Sequence, residues 1–472
     1  MTDSHAAQHD FDLIVIGGGA VGENVADFAT RRGIRVALVE EALVGGECSY
    51  WACMPSKALL RSGHALRAAR RVPGAREAIT GSLDAAAVLE RRTAFTHGWD
   101  DSSQVEWVRT TGIELIRGRA RLVGRGRVEV DGRTWTARAV ALATGSVPQL
   151  PDIPGLADAA PWGTREATAA VDVPARLVVI GGGVAGVELA LAHASLGAQV
   201  TLLARGGLLG REEPFAGELV ASALAEEGID VRTGTSPTRV DRADDGIVSV
   251  ELEDGSVLRA EELLVAAGRT PALHDLGLEA VGVDADELVV DDTMLVAGTD
   301  WLSAVGDASG RMQLTHQGKY QARAAGEAIA ARLQGRPVHD DSWGQHVATA
   351  DHAAVPRVVF SDPEVAAVGL TEAEAREAGL DVRTVEEGLG AVAGASLQAD
   401  GYEGRAKLVV DEARGVLVGA TFVGQDVAEL VHAATIAIVG EVPIARLWHA
   451  VPAYPTMSEV WLRLLEAYGR PD

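Results

Sequence analysis

Two stretches of the chain share one pattern of apolar and polar positions. Residues 11–41, "FDLIVIGGGAVGENVADFATRRGIRVALVEE", and residues 175–205, "ARLVVIGGGVAGVELALAHASLGAQVTLLAR", each open on an apolar run. Each then breaks at three glycines, continues through an alanine-rich helical stretch and closes on a second apolar run. Short apolar runs flanking a helical stretch predict buried strands joined by a helix, a βαβ unit occurring twice. In each copy the glycines fall as GxGxxG: Gly17, Gly19 and Gly22, then Gly181, Gly183 and Gly186. In this motif the first glycine makes a tight turn and the second lets a pyrophosphate approach the backbone. The third packs helix on strand, and the helix N-terminus faces the phosphates. One such motif is weak evidence. Two in matching context predict an α/β chain with two Rossmann-like dinucleotide-binding domains.

The copies differ where the second strand ends. The first ends "VALVEE", which puts Glu40 where a carboxylate can hold ribose hydroxyls. The second has Ala204 at that offset, followed by Arg205 and, further on, Arg211. A carboxylate would repel a 2′-phosphate; here it is missing and two guanidiniums stand nearby. The first site therefore reads as one for FAD and the second as one for NADPH, with NADH possible if both arginines are merely solvated surface residues.

Composition narrows the remaining classes. The 472 residues carry a net charge of −25, which argues against binding a nucleic-acid backbone or an anionic membrane surface. The polar opening "MTDSHAAQHD" lacks the basic and apolar regions of a secretion signal, so a cytoplasmic location is expected. The most apolar stretch is the second βαβ unit itself, whose glycines and flanking arginines do not suit a membrane span. Only two cysteines occur, Cys48 and Cys53, in "GGECSYWACMPSK". Without secretion a disulfide framework is not expected, and two thiols without clustered histidines make a poor metal site, so no metal is assigned. Redox chemistry is the reading left.

That cysteine segment resembles the active-site signature of the class I pyridine nucleotide-disulfide oxidoreductases, among them lipoamide dehydrogenase, glutathione reductase and mercuric reductase. The resemblance covers nearly the whole chain, through "ALATGSVP" (141–148), "AAGRTP" (266–271), "AVGDASG" (304–310) and "FSDPEVAAVGLTEAEA" (360–375), in that family's order. It implies a homodimeric enzyme that passes electrons from NAD(P)H through FAD to a Cys48–Cys53 disulfide and on to a small-molecule acceptor. Cys53 would be the thiol touching the flavin and Cys48 the interchange thiol. Both would have a lowered pKa at a helix start beside a cation. Lys57 would lie near the flavin, paired with Glu188. Thr144, Gly145, Ser146 and Asp307 would hold FAD, and Gly268 with Arg269 would line the nicotinamide side. The implied domains are FAD-binding over 1–165 and again over 273–340, NAD(P)H-binding over 166–272, and a C-terminal α+β dimerisation domain over 341–472.

One segment departs from the family. Disulfide-reducing members carry an "HxHPTxxE"-like segment, donated by the partner subunit, that supplies an acid/base histidine oriented by a glutamate. This chain reads "VPAYPTMSEVW" (451–461): Pro455, Thr456 and Glu459 match, but Tyr454 takes the histidine position and His449 lies earlier. Tyrosine, with a pKa of about 10, is a poor base at neutral pH. Mercuric reductase also has tyrosine there, but with extra cysteines that this chain lacks. The acceptor therefore stays open among a disulfide, a quinone and a metal ion. Alternative functions are a dihydrolipoyl dehydrogenase-like enzyme, a thiol-independent diaphorase and a non-catalytic flavin redox sensor.

Overall fold

Strands that read as unbroken apolar runs must be covered on both faces, which is the habit of parallel sheets flanked by helices. In the computed structural model, which describes residues 9–470, both βαβ stretches do this. The polar opening lies outside the described residues up to Gln8. The chain forms two bodies. One comprises Met1–Met54, Thr93–Pro148 and Arg269–Asp351, the other Pro55–Arg92, Gln149–Gly268 and His352–Asp472.

The first body is built on a sheet in which Glu114–Arg117, Val36–Glu40, Phe11–Ile16, Arg133–Leu142 and Leu302–Ala304 lie side by side in parallel. Leu13, Ile14, Val15, Leu38, Val140 and Leu142 are buried at its centre. The antiparallel strands Ala120–Gly124 and Arg127–Val130 extend the sheet from Arg133–Leu142. The Ala20–Thr30 helix packs closely along the Thr315–Leu333 helix. Gly326 permits this, since a Cβ there would meet the Val25 carbonyl at 2.8 Å.

The second body repeats the parallel arrangement with Asp230–Thr233, Gln199–Ala204, Arg176–Ile180 and Glu262–Val265, beside a three-stranded antiparallel sheet over 237–260. It also holds a five-stranded antiparallel sheet, ordered Pro356–Val359, Glu364–Gly369, Val416–Gly424, Arg405–Asp411 and Val382–Gly388. The Leu430–Val439 and Val460–Tyr468 helices pack on this sheet around Phe422, Leu408 and Leu464. The fold class is α/β, with two parallel dinucleotide-type sheets and a C-terminal antiparallel sheet bearing helices. No helix among the described residues is long and apolar enough to cross a membrane.

Candidate active site

Each glycine motif has the shape its chemistry requires. Gly17 has φ +102, and a Cβ there would lie 2.3 Å from the Ala143 carbonyl oxygen. A Cβ on Gly22 would lie 1.8 Å from the Gly17 oxygen, so the first and third glycines are demanded by the protein's own packing. Gly19 is different: the nearest atom to its would-be Cβ is 3.8 Å away, so the protein leaves room there. The second motif behaves alike, with Gly181 tight against Ala266, Gly186 tight against Gly181, and nothing within 4 Å of a Cβ on Gly183. Gly19 and Gly183 are the N-caps of their helices, and neither cap uses a side chain, so backbone donors are presented to a ligand. Both turns leave room beside free backbone donors, which is what a phosphate group requires.

Glu40 ends its strand with one carboxylate oxygen accepting from the Gly18 N–H at 2.7 Å and the other from the Ala42 N–H at 2.7 Å. Those bonds hold the carboxylate where the first motif closes, and burial raises its pKa despite them. At the corresponding end of the second motif, Arg205 and Arg211 are exposed, and neither is ion-paired among the described residues.

The two cysteines are brought together as thiols, with Cys48 hydrogen-bonded to Cys53. The paired glycines before them explain the approach: the Gly45 N–H donates to the Gly18 carbonyl, and a Cβ on Gly46 would strike the Gly19 Cα at 2.7 Å. The redox loop is thus seated on the first dinucleotide turn. Cys48 lies in the short Gly46–Tyr50 helix, and Cys53 opens the Cys53–Arg70 helix. Cys53 Sγ lies 3.3 Å from the Thr315 hydroxyl. The lowered pKa expected for both thiols does not hold for Cys48. The hydrogen bond with Cys53, followed by burial, pushes it up, while Thr315 and Lys319 pull the other way. Two thiols sharing one neighbourhood cannot both ionise easily, which weighs against the Cys48 thiolate.

Four further residues meet in the first body. Asp307 accepts from the Ser146 hydroxyl at 2.5 Å, and Ser146 Oγ accepts from Arg269 Nε at 2.7 Å. Arg269 also donates to Glu47, beside Cys48, at 2.5 Å. Burial raises the Asp307 pKa, with Ser146 and Arg269 opposing. Arg269, expected on the nicotinamide side with Gly268, bonds the Ser146–Asp307 pair and Glu47 of the cysteine loop. Gly268 accepts from the Gln149 N–H, Thr144 donates its hydroxyl to the Ala272 carbonyl, and the Gly145 carbonyl accepts from the Ala272 N–H.

In the second body Lys57 and Glu188 form an ion pair at 2.6 Å, with Glu188 only 3% exposed. The other Glu188 oxygen accepts from the Phe360 N–H at 2.9 Å, and the Lys57 ammonium sits 5.0 Å from the Phe360 ring centroid. Tyr454 is 79% exposed. Glu459 is within its own segment a cap, accepting from the Thr456 N–H at 3.3 Å and the Gly394 N–H at 3.4 Å. His449 is exposed.

Sequence reasoning missed several residues around the thiols. Trp99 donates its indole N–H to the Tyr50 carbonyl, between the two cysteines. Thr315 and Lys319 come from a distant helix. Glu23, on the first turn after the glycines, is largely buried and its pKa is pushed up to about 7. Its signal was present, since a carboxylate one residue past a phosphate-binding GxGxxG is out of keeping with an anionic ligand.

Residues 11–322 match the family described as pyridine nucleotide-disulphide oxidoreductase, and residues 355–464 match its dimerisation domain. The chain is 34% identical over 476 residues to a mercuric reductase of Shigella flexneri, covering 97% of this chain and 80% of that protein. It is 34% identical over 475 residues to a dihydrolipoyl dehydrogenase of Chlorobaculum tepidum, covering 97% and 96%. Among solved structures, the HOCl-induced flavoprotein disulfide reductase RclA from Escherichia coli superposes with a TM-score of 0.82 at 25% identity, covering 97% of this chain and all of that one. The chain therefore belongs to the pyridine nucleotide-disulphide oxidoreductases, and it is an FAD-dependent enzyme that draws its electrons from NAD(P)H.

Proposed function

We propose that this enzyme uses NADPH to keep the Cys48–Cys53 pair reduced and that Cys48 delivers the electrons to a small disulfide. The observation that carries the reading is the apposed dithiol seated directly on the first dinucleotide turn. Bound FAD supplies the hydride-to-dithiol relay that thiols alone cannot perform. Around it Gly17, Gly19, Gly22 and Glu40 hold the adenosine diphosphate portion, while Asp307 and Ser146, braced by Arg269, hold the ribityl side, with Thr144 and Gly145 in the adjoining turn. Cys53 opens its helix next to the flavin, and Lys57, one turn further along and steadied by Glu188, is the first cation of that helix. Gly181, Gly183 and Gly186 take the NADPH pyrophosphate, Arg205 and Arg211 the 2′-phosphate, and Gly268 the nicotinamide side. We assign FAD binding to 1–165 and 273–340, NADPH binding to 166–272 and dimerisation to 341–472.

In the functional dimer, Tyr454 and Glu459 reach the acceptor side of the partner's dithiol. The acceptor itself enters the cavity of about 370 Å³ between the Ala20–Thr30 and Ser102–Thr111 helices. The reaction runs in the cytoplasm.

Two measurements test this. Anaerobic titration with NADPH should take up two electron pairs per subunit, one more than a flavin alone accepts. Cys48→Ser should abolish reduction of every disulfide. Quinone reduction that survives in this variant, with no disulfide turnover in the wild type, would show a diaphorase in which the thiols are bystanders.

A further inference from the structure

We infer that the C-terminal antiparallel sheet helps set the coenzyme preference, because its Arg357 and Lys407 hold in place the loop that carries Arg205 and Arg211. The inference rests on the reading above in one respect, that these two arginines receive the 2′-phosphate. The loop, "RGGLLGREE" (205–213), runs from the end of the Gln199–Ala204 strand to the start of the Pro214–Glu226 helix. Three glycines in nine residues leave it little conformational preference of its own. A loop that samples many conformations scatters its guanidiniums, and binding a phosphate must then order them. Fixing the backbone beforehand removes that cost.

The middle of the loop is fixed locally. The Leu209 N–H donates to the Gly182 carbonyl of the second glycine turn at 2.8 Å, and Leu208 and Leu209 are buried. Gly210 and Arg211 beyond them are exposed. The next two residues are glutamates whose side chains are buried, and a carboxylate taken that far from water needs a cation or donors. Glu212 is met by Arg357, whose Nε and Nη2 donate to its two oxygens at 2.9 and 3.1 Å. With the Glu212 side chain only 5% exposed, this is a two-pronged pair largely shielded from solvent. Glu213 accepts from Lys407 at 2.9 Å on one oxygen and from the Glu372 N–H at 2.7 Å on the other. Lys407 is itself buried and also donates to the Glu372 carboxylate at 2.6 Å.

Arg357 stands in the Pro356–Val359 strand and Lys407 in Arg405–Asp411, 145 and 194 positions beyond the glutamates they hold. The chain just after Arg211 is thus clamped at two successive residues to the sheet of the family's dimerisation domain. A trans peptide sets neighbouring Cα atoms about 3.8 Å apart, so the Arg211 backbone cannot wander while Glu212 is held. The Arg211 side chain has no ion pair among the described residues and stays free to turn to a phosphate. Arg357 and Lys407 are positioning residues that act through Arg211. A clamp serving stability alone would weaken every ligand of this turn alike. One that places Arg211 acts on the 2′-phosphate.

The test compares two fragments by titration calorimetry on the FAD-loaded protein: 2′,5′-ADP, which carries the 2′-phosphate, and 5′-AMP, which does not. Wild type should bind the first more tightly. Arg357→Gln should weaken 2′,5′-ADP by about three- to tenfold, the ordering cost of one long side chain, and leave 5′-AMP within about twofold. In steady state the same variant should raise the KM for NADPH by a similar factor, with kcat and the kinetics with NADH unchanged. The decisive comparison is a double variant. In Arg211→Ala protein, Arg357→Gln should add almost nothing to the loss of 2′,5′-ADP affinity, since the residue it positions has gone. Arg357→Lys keeps the charge beside Glu212 and gives up the second prong, so it should fall between wild type and Arg357→Gln. It carries the same test, alone and with Arg211→Ala, should Arg357→Gln fail to fold. Equal weakening of both fragments, full 2′,5′-ADP affinity in the Arg357 variants, or an additive double variant would overturn the inference while leaving the NADPH reading intact. Wild type that binds the two fragments equally would overturn that reading, and this inference with it.

Discussion

At the scale of single residues, the consequential departure is Tyr454. A phenol cannot take up and return a proton near neutrality as an imidazole does, so on the proposed reading a departing thiolate is protonated slowly. General acid–base assistance is worth about 10²–10⁴-fold. Tyr454→His should therefore raise kcat with a small disulfide towards that range and leave quinone reduction unchanged, measured as steady-state NADPH consumption with each acceptor. A variant no faster than wild type would mean that protonation is not what limits the reaction. The two arginines make a second residue-scale prediction. Exposed and unpaired, Arg205 and Arg211 give up nothing to bind a 2′-phosphate, so replacing either by alanine should cost about 1–3 kcal/mol with NADPH and almost nothing with NADH. Equal KM changes for both coenzymes would return the arginines to the solvated surface. The approach of Cys48 and Cys53 was legible in the sequence because it is set by their spacing within one short segment. Glu23 and Lys319 were not. Their significance comes from burial and field, which exist only once helices far apart in the chain have packed together.

At the scale of elements, the two βαβ units were readable because a buried parallel strand needs an unbroken apolar run and a phosphate turn needs glycine. The sequence carried no comparable signal for the antiparallel strands Ala120–Gly124 and Arg127–Val130, whose alternating residues could equally form an isolated hairpin. Nor did it show Arg269 reaching back to Ser146 and Glu47, since that depends on the pairing of Arg269–Pro271 with Ser146–Pro148. Within the glycine motifs the structure separates positions that look equivalent in the sequence. A methyl on Gly186 would sit 1.9 Å from the Gly181 oxygen, an overlap with backbone that no side chain can relieve. Gly186→Ala should therefore give little soluble protein. Gly183 has open space at the same distance, so Gly183→Ala should fold with an unchanged melting temperature and raise the KM for NADPH about tenfold or more, because the methyl meets only the pyrophosphate. If both variants melt alike, the room at Gly183 is not held for a ligand.

At the scale of the whole molecule, the C-terminal sheet and its helices belong to the family's dimerisation domain, and several apolar side chains stand exposed on them. Ile436 is 57% and Val439 39% exposed, on one face of the Leu430–Val439 helix, and Val451 is 87% exposed just before Tyr454. The turn at Tyr454 to Glu459 is held by its own bonds, Thr456 to the Ala453 carbonyl and the Thr456 N–H to Glu459, while Tyr454 itself is exposed. A rigid turn offering an exposed aromatic beside apolar surface suits delivery to a second copy of the chain. Dimerisation and chemistry are then separable. Placing glutamates at Ile436 and Val439 should give a monomer by light scattering, because the buried charges oppose association. In that monomer NADPH should still reduce the flavin at the wild-type rate, since both dinucleotide cradles are formed within one chain. Disulfide turnover should fall, since on the proposed reading the partner's Tyr454 and Glu459 complete the acceptor side. A monomer that reduced disulfides as fast as the dimer would show that each chain completes its own active site, and that Tyr454 is only part of the surface.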